Sequence, residues 1–267
     1  MIDNSIVFPG LGLRFDFSPV AFEIFGLEVR WYGIIIAIGF LCGFLVSTFF
    51  AKKEDVNPEV LLDIAIIATP VAIIFARAYY VIFNFKEFKD NILSIFAIRQ
   101  GGIAIYGALI GALLSTYIYC RVKKINFFKI CDVGVHGLIL GQAIGRWGNF
   151  ANREAYGYET SLPWRMQIYS SEAGRRIEVH PTFLYESLWD FFVFLLLIFL
   201  RKYKKKEGDI LGFYLIFYSI GRFFIEALRT DSLMIGNFRV SQIVAVLCIV
   251  VGSAIVVVNK RSFFDKI

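Results

Sequence analysis

Long apolar segments alternate with short polar segments along most of the 267-residue chain. Apolar runs cover residues 31–50, 60–83, 210–228 and 241–258, and three more begin at Gly101, Cys131 and His180. A helix of about 20 mostly apolar residues crosses the hydrocarbon core of a bilayer. The pattern therefore predicts an all-α, polytopic membrane protein with seven transmembrane helices.

Two stretches are too polar to cross a membrane. Residues 1–30 mix aromatic residues with single charges, as in Phe15-Asp16-Phe17, which is typical of helices that lie on a membrane surface. Residues 151–181 form a second polar stretch, between the fourth and fifth runs. We therefore predict one integral membrane domain over residues 1–267, with an external arm of interfacial helices at 1–30 and a small extracytoplasmic head at 151–181.

Basic residues are concentrated in four short segments, at 52–53, 121–129, 201–206 and 260–266. These segments follow the first, third, fifth and seventh apolar runs. Because cytoplasmic loops carry an excess of lysine and arginine, the pattern predicts an external amino terminus and a cytoplasmic carboxyl terminus. Membrane topology thus accounts for the net charge of +6, and we expect no nucleic-acid partner.

The residue types that carry chemistry exclude several classes of function. The four cysteines lie in or beside apolar runs without a Cys-x-x-Cys pair, and the two histidines lack a metal-binding spacing. Zinc-protease, serine-hydrolase and P-loop motifs do not occur in the sequence. We expect the cysteines to be small buried apolar side chains, and the protein to need neither a metal nor a cofactor.

The fourth apolar run ends in a cluster of polar residues. Arg146, Asn149, Asn152 and Glu154 follow one another closely there. An arginine at the end of a span can simply extend to the membrane surface, but amide and carboxylate neighbours also favour a binding site. If the helix continues, Arg146, Asn149 and Arg153 share one of its faces.

The sixth apolar run carries charges inside it. Tyr218, Arg222, Glu226 and Arg229 recur at helical spacing, so they form one stripe along a helix. Charges within a membrane span are costly, and the stripe should therefore face the protein interior with each charge paired. A structural salt bridge between Arg222 and Glu226 and a substrate site both fit this pattern.

These polar residues stand in a sequence that resembles the signature of the bacterial prolipoprotein diacylglyceryl transferases. The family pattern Gly-Arg-x-Gly-Asn-Phe-x-Asn-x-Glu-x-x-Gly matches residues 145–157. Other family landmarks occur in the same order, so the resemblance covers about residues 20–258. These landmarks are Trp31-Tyr32-Gly33, Gly101-Gly102 before Gly107, His180-Pro181 before Tyr185-Glu186, and the stripe from Tyr218 to Arg229.

The resemblance implies a function. A member of this family transfers the diacylglyceryl group of phosphatidylglycerol to the lipobox cysteine of a prolipoprotein signal peptide, forms a thioether and releases glycerol phosphate. It works in the bacterial cytoplasmic membrane, within the lipid bilayer, with its active site toward the extracytoplasmic side, and it uses no cofactor. Arginine suits this chemistry because its guanidinium holds phosphate through paired hydrogen bonds.

The resemblance also implies site residues. Asn149 and Asn152 would donate to lipid oxygens, while Glu154 and Glu226 would orient the arginines. The residues predicted to take part in catalysis are Arg146, Arg222, Glu226, Tyr106 and His180. The residues predicted to bind phosphatidylglycerol are Arg146, Asn149, Asn152, Glu154, Gly157, Tyr32 and Arg229.

The chain departs from the family pattern at one position. Tyr106 follows Gly101-Gly102 where the family usually has histidine, a natural general base. The ordinary pKa of tyrosine, near 10, lies above that of the cysteine thiol, about 8.5, so tyrosine is a poor base for this thiol. His136 lies too deep in its span. His180, or direct stabilisation of the thiolate by the arginines, remains as an alternative.

A membrane transporter with a charged translocation path is the competing class of function. Charged residues inside a span fit such a path as well. We find no evident inverted repeat and no matching pair of interrupted spans, both of which are common in transporters. The transferase is therefore the favoured prediction.

Overall fold

The computed structural model describes residues 5–89, 91–97, 101–171 and 173–264. Residues 1–4 of the predicted arm, residue 172 of the predicted head and Lys266 of the last basic segment lie outside this range. Seven α-helices occupy most of the described chain. They are α1 (Trp31–Lys53), α2 (Pro58–Phe83), α3 (Ile105–Lys123), α4 (Phe127–Asn152), α5 (Thr182–Leu200), α6 (Asp209–Glu226) and α7 (Val240–Phe264).

Six of these helices are long and apolar enough to cross a membrane, by length and composition, within the described residues. The exception is α6, which has 18 residues and includes Asp209, Arg222 and Glu226. The prediction of a polytopic, mainly helical membrane protein is confirmed. A seventh crossing by α6, the orientation of the chain and a single membrane domain over residues 1–267 stay predictions.

The prediction of an all-α fold was wrong, because the described residues include eight short β-strands. The predicted arm of interfacial helices forms strands instead, joined by a 3₁₀ turn. Phe25 and Gly26 both have positive φ, at 50° and 76°, which is the geometry of a tight turn between antiparallel strands. The strands are β1 (Ile6–Phe8), β2 (Leu13–Phe15), β3 (Val20–Ile24), β4 (Leu27–Arg30), β5 (Met166–Ser170), β6 (Arg175–Val179), β7 (Met234–Ile235) and β8 (Phe238–Arg239).

The arm and the head share one antiparallel sheet, with strand order β2-β1-β5-β6. Val7 of the arm pairs with Gln167 of the head. Beneath the sheet, Ile6, Phe8 and Ile168 are buried with Phe150 from the last turns of α4. Because burial of such side chains is the main force that holds two elements together, the sheet is fixed to the end of the helix that carries the signature.

Two compact units make up the chain: residues 1–47 with 132–267, and residues 48–131. In the first unit, buried Asp132 on α4 accepts the backbone N–H groups of Gly208 and Leu211, each at 2.8 Å. This carboxylate satisfies donors at the start of α6 that the helix itself leaves unpaired. The contact fixes where α6 begins relative to α4.

In the second unit, Arg77 is buried on α2. Its guanidinium donates to the carbonyl oxygens of Ser94, Ile95, Gly101 and Gly102 at 2.7 to 2.8 Å. Through these four hydrogen bonds, Arg77 holds the connection between α2 and α3.

Candidate active site

Glu186, in the second turn of α5, lies at the centre of three arginines. Its Oε2 is 2.7 Å from Nε of Arg146, which is on α4. Its Oε1 is 2.5 Å from Nη1 of Arg222 on α6 and 3.5 Å from Nη1 of Arg229, just beyond α6. The Glu186 side chain is 5% exposed. We call Glu186, Arg146, Arg222 and Arg229 the arginine cluster.

Arg222 contacts a second buried carboxylate. Its Nη2 lies 2.6 Å from Oε2 of Glu226, one helical turn further along α6, and the Glu226 side chain is 2% exposed. This confirms the predicted salt bridge within the stripe. The two terminal nitrogens of Arg222 therefore hold two different carboxylates, one from its own helix and one from α5.

Arg229 is oriented from the outside by Asp231. Nε and Nη2 of Arg229 lie 2.9 and 2.8 Å from the two carboxylate oxygens of Asp231. Partial burial raises the pKa of Asp231, but the hydrogen bond and the charge of Arg229 outweigh it and leave this pKa below its ordinary value. Asp231 is thus ionised at neutral pH. It contacts Nε and Nη2 of Arg229, and the remaining nitrogen, Nη1, faces Glu186.

The end of α6 is held by an arginine that the sequence did not single out. Arg239 donates to the carbonyl oxygens of Glu226 and Arg229, to Ser232 Oγ at 2.7 Å and to the hydroxyl of Tyr158 at 3.0 Å. Carbonyl groups at a helix end lack partners within the helix. Arg239 supplies these partners and fixes the backbone that carries Arg229.

The signature amides surround Glu154. Asn149 Nδ2 donates to Oε1 of Glu154 at 2.8 Å, and Asn152 Nδ2 donates to Oε2 at 3.3 Å. The prediction that Glu154 orients an arginine was therefore wrong for the contacts in the described residues. With both amide nitrogens turned toward Glu154, its carboxylate orients the two asparagines instead.

The helix does not continue through the signature as the shared-face prediction required. α4 ends at Asn152, and Arg153 follows with φ of 57°. Arg153 leaves the face of Arg146 and donates instead to the carbonyl oxygen of Phe17 at 2.6 Å. Arg153 therefore ties the end of α4 to the arm, and it is not part of the arginine cluster.

Gly157 lies in a narrow space between two other segments. Its N–H donates to the carbonyl of His180 at 3.0 Å, and it forms an antiparallel bridge with Arg229. A Cβ atom at this position would lie 2.8 Å from Cβ of His180 and 2.8 Å from the carbonyl oxygen of Leu228. Because Gly157 has no side chain, His180 and the backbone next to Arg229 can both pack closely against it.

Gly157→Ala is expected to lower transfer activity about tenfold or more, because the added methyl group displaces the backbone that carries Arg229. The measurement is the transfer rate beside the thermal unfolding midpoint in detergent. Gly174→Ala is the matched control for an added methyl group, since nothing lies within 4 Å of a Cβ there, although its positive φ adds local strain. An unchanged rate in Gly157→Ala would contradict this role.

Tyr32 lies in the first turn of α1, against the signature helix. A Cβ atom at Gly148 would be 2.9 Å from Cδ2 of the Tyr32 ring. Gly148 lies between Arg146 and Asn149 in the sequence, so the structure brings Tyr32 to the turn of α4 that carries them. Tyr32 is 37% exposed, which leaves part of the residue open to a ligand.

His180 immediately precedes Pro181 and α5. Its Nδ1 lies 3.3 Å from the hydroxyl oxygen of Tyr185, which also accepts a hydrogen bond from Trp164 Nε1 at 2.7 Å. Burial lowers the pKa of His180 below its ordinary value, so the ring is uncharged at neutral pH.

Tyr106 belongs to the second compact unit, whereas all the other predicted site residues belong to the first. It lies in the first turn of α3, with its ring centroid 6.5 Å from that of Tyr79 on α2. A role for Tyr106 beside the arginine cluster stays a prediction.

Comparisons with known proteins show the family of this chain. The sequence model of the prolipoprotein diacylglyceryl transferases matches residues 19–258. Among curated relatives, the phosphatidylglycerol–prolipoprotein diacylglyceryl transferase of Clostridioides difficile (strain 630) is 48% identical over 233 residues, which is 87% of this chain and 92% of that protein. The protein of the same name from Finegoldia magna is 48% identical over 248 residues, covering 92% of this chain and 98% of that one. The one from Listeria welshimeri is 46% identical over 249 residues, covering 91% and 90%. The family model over residues 19–258 and these relatives show that the chain belongs to the prolipoprotein diacylglyceryl transferase family.

Proposed function

We propose that the arginine cluster is where this chain transfers the diacylglyceryl group of phosphatidylglycerol to the cysteine thiol of a prolipoprotein. The observation that carries this assignment is the convergence of three guanidinium groups from separate segments on the buried carboxylate of Glu186. Guanidinium groups stay charged when partly desolvated and match the oxygens of a phosphate. A cluster of this kind suits the headgroup phosphate of a membrane lipid.

The reaction needs only the two substrates. The cysteine sulfur attacks the carbon of the diacylglyceryl group that bears the phosphate. A carbon–sulfur bond forms, the carbon–oxygen bond to the phosphate breaks, and the thiol proton passes to a base. The electron pair of that bond stays on the phosphate oxygen, and glycerol phosphate leaves. Arg146 and Arg222 would neutralise the charge that builds on this oxygen, which is the kind of electrostatic stabilisation that contributes most to many enzymatic rates.

The asparagines and Tyr32 would hold the remainder of the lipid headgroup. Asn149 and Asn152 are fixed by Glu154 at the end of the helix that carries Arg146. The second N–H of each amide would donate to the glycerol and ester oxygens of phosphatidylglycerol while Arg146 holds the phosphate. Tyr32 lies over the same turn and would close this side of the site.

We further propose that the site opens toward the extracytoplasmic side of the bacterial cytoplasmic membrane. The basic segments at 52–53 and 201–206 lie at the carboxyl ends of α1 and α5, and the segment at 121–129 lies at the start of α4. Tyr32, Glu186 and Arg146 lie toward the other ends of these helices. The positive-inside rule makes the basic ends cytoplasmic. The amino terminus would then lie outside and the carboxyl terminus inside. A lipobox cysteine emerging in a signal peptide would meet the cluster beside the head.

The direct test uses the purified chain with phosphatidylglycerol and a peptide that contains a lipobox cysteine. Mass spectrometry should detect a diacylglyceryl thioether on the peptide and glycerol phosphate in solution. A peptide with serine in place of cysteine is the control, because a hydroxyl is a much weaker nucleophile. A folded protein that makes no thioether under these conditions would contradict the assignment and would favour the competing prediction of a membrane transporter.

His180 is the proposed general base, in place of the histidine that the family usually has at Tyr106. The Tyr185 oxygen near Nδ1 can accept a hydrogen from it, which leaves the lone pair on Nε2 to take the thiol proton. Because burial lowers the His180 pKa, the base is unprotonated at neutral pH, and kcat/KM should fall only below pH of about 6.5. His180→Gln should lose this acidic limb and about 10²-fold in rate. An acidic limb that persists in the variant would exclude His180.

Tyr106→Phe is expected to lose less than about tenfold in transfer rate, because the hydroxyl would supply one hydrogen bond to the substrate and no proton path. Arg146→Ala in the same preparation should lose nearly all activity. Both rates are measured at saturating peptide. If Tyr106→Phe were as inactive as Arg146→Ala while still binding lipid, the tyrosine hydroxyl would belong to the proton path.

A further inference from the structure

Both terminal nitrogens of Arg222 contact a carboxylate. Its Nη1 contacts Glu186 at 2.5 Å and its Nη2 contacts Glu226 at 2.6 Å. Arginine binds phosphate best through two parallel N–H groups. A lipid phosphate in the paired geometry on this guanidinium therefore competes with the two carboxylates for its terminal N–H groups.

Glu186 is the carboxylate that can move. Glu226 is one turn from Arg222 on the same helix, is almost completely buried, and has its backbone carbonyl held by Arg239. Glu186 stands on a different helix and has a third arginine, Arg229, at 3.5 Å, the longest contact in the cluster. A rotation of the Glu186 side chain toward Arg229 keeps its charge paired while it releases Arg222.

The charge of the product creates a need for such movement. The phosphodiester of phosphatidylglycerol carries one negative charge, whereas a phosphate monoester carries about −1.5 to −2 at pH 7. Left alone with three guanidinium groups, glycerol phosphate would be bound more strongly than the lipid it came from. Turnover then requires an anion that competes with the product.

We propose that Glu186 is this displaceable anion. The lipid phosphate takes its place on Arg222 and Arg146 while the carboxylate turns to Arg229, and its return helps to expel glycerol phosphate. This inference rests on the proposed function. It assigns to Glu186 a role in phosphate exchange, beyond holding the arginines in position.

The test is inhibition of the transfer reaction by added glycerol phosphate, with wild type and Glu186→Gln purified as full chains in detergent. The amide keeps the size of the side chain and removes its charge. We expect the inhibition constant of glycerol phosphate to fall about tenfold or more, and kcat and KM to fall together because release becomes slow. Glu178→Gln, which removes a carboxylate 2.6 Å from Arg165 in the head, should keep the wild-type inhibition constant.

The opposite result has a clear meaning. If Glu186 only holds the arginines in position, its loss lets them separate, and glycerol phosphate should inhibit less strongly. An unchanged or raised inhibition constant in Glu186→Gln therefore overturns the proposal.

If this variant does not fold, Glu186→Asp replaces it. Its carboxylate keeps the charge but is one methylene shorter, so it competes less well for Arg222 and the inhibition constant should fall by less than in Glu186→Gln. An unchanged or raised value counts against the proposal. Wild-type thioether formation in the same assay tests the proposed function separately.

Discussion

Arg146→Lys is expected to lose at least about 10²-fold in transfer rate, nearly as much as Arg146→Ala. Arg146 contacts Glu186 through Nε at 2.7 Å, and under the proposed function its two terminal nitrogens would donate to the lipid phosphate. An ammonium group is a point charge and does not reproduce this planar set of donors. Removal of one well-placed donor to a developing oxyanion typically costs about 10²- to 10³-fold in rate.

The control for this exchange is Arg165→Lys in the head. Arg165 has a similar environment, with Nε 2.6 Å from Glu178 and a side chain 25% exposed, but it lies outside the cluster. Its lysine variant should keep transfer activity within about twofold, since an ion pair this exposed contributes little to stability. Near-wild-type activity in Arg146→Lys would mean that paired donation from this residue is not needed.

Arg222→Lys is expected to remove activity and also to destabilise the fold. Arg222 bridges two buried carboxylates, with side chains 5% and 2% exposed, and an ammonium in its place cannot hold both in the same geometry. Leaving a buried charge without its partner costs about 3–5 kcal/mol. Unfolding in detergent should therefore occur at a clearly lower temperature, in addition to the loss of transfer.

The comparison for stability is Arg175→Lys. Arg175 pairs with Glu159 at 2.8 Å, but both side chains are more than half exposed, so the exchange should leave the unfolding temperature almost unchanged. An Arg222→Lys protein as stable as wild type would show that one of the two carboxylates is not held by Arg222 in solution.

The helices and much of the site could be predicted from the sequence because they depend on local pattern. Apolar runs of the right length specify membrane helices. The pairing of Arg222 with Glu226 follows from their four-residue spacing on one helix. The signature identified the family and, with it, the polar end of α4.

The strands of the arm and head could not be found in the same way. β1 pairs with β5 across a separation of about 160 residues, and no local pattern reports such a partner. Short strands in an aromatic, intermittently charged segment resemble an interfacial helix in composition. The one local signal for these strands was the Phe25-Gly26 turn, because apolar and polar residues alternate before and after it, as they do in a β-hairpin.

The place of Glu186 at the centre of the cluster also depends on tertiary structure. In the sequence, Glu186 stands out only because it follows Tyr185 in a family landmark. Its three arginines come from α4, from α6 and from the turn after α6. Only the packing of α5 between these segments brings them together. Arg239 was missed for the same reason, because its partners are backbone carbonyls.

Binding of phosphatidylglycerol shows directly whether the arginine cluster holds the lipid phosphate, since it separates recognition of the lipid from chemistry. Labelled lipid is titrated into wild type, Arg146→Ala, Arg222→Ala and the head variant Arg165→Ala, each first checked for folding by thermal unfolding. If the arginine cluster holds the phosphate, both cluster variants bind about tenfold or more weakly, while Arg165→Ala binds like wild type. Folded Arg146→Ala and Arg222→Ala proteins that bind phosphatidylglycerol as tightly as wild type would contradict phosphate binding by the arginine cluster.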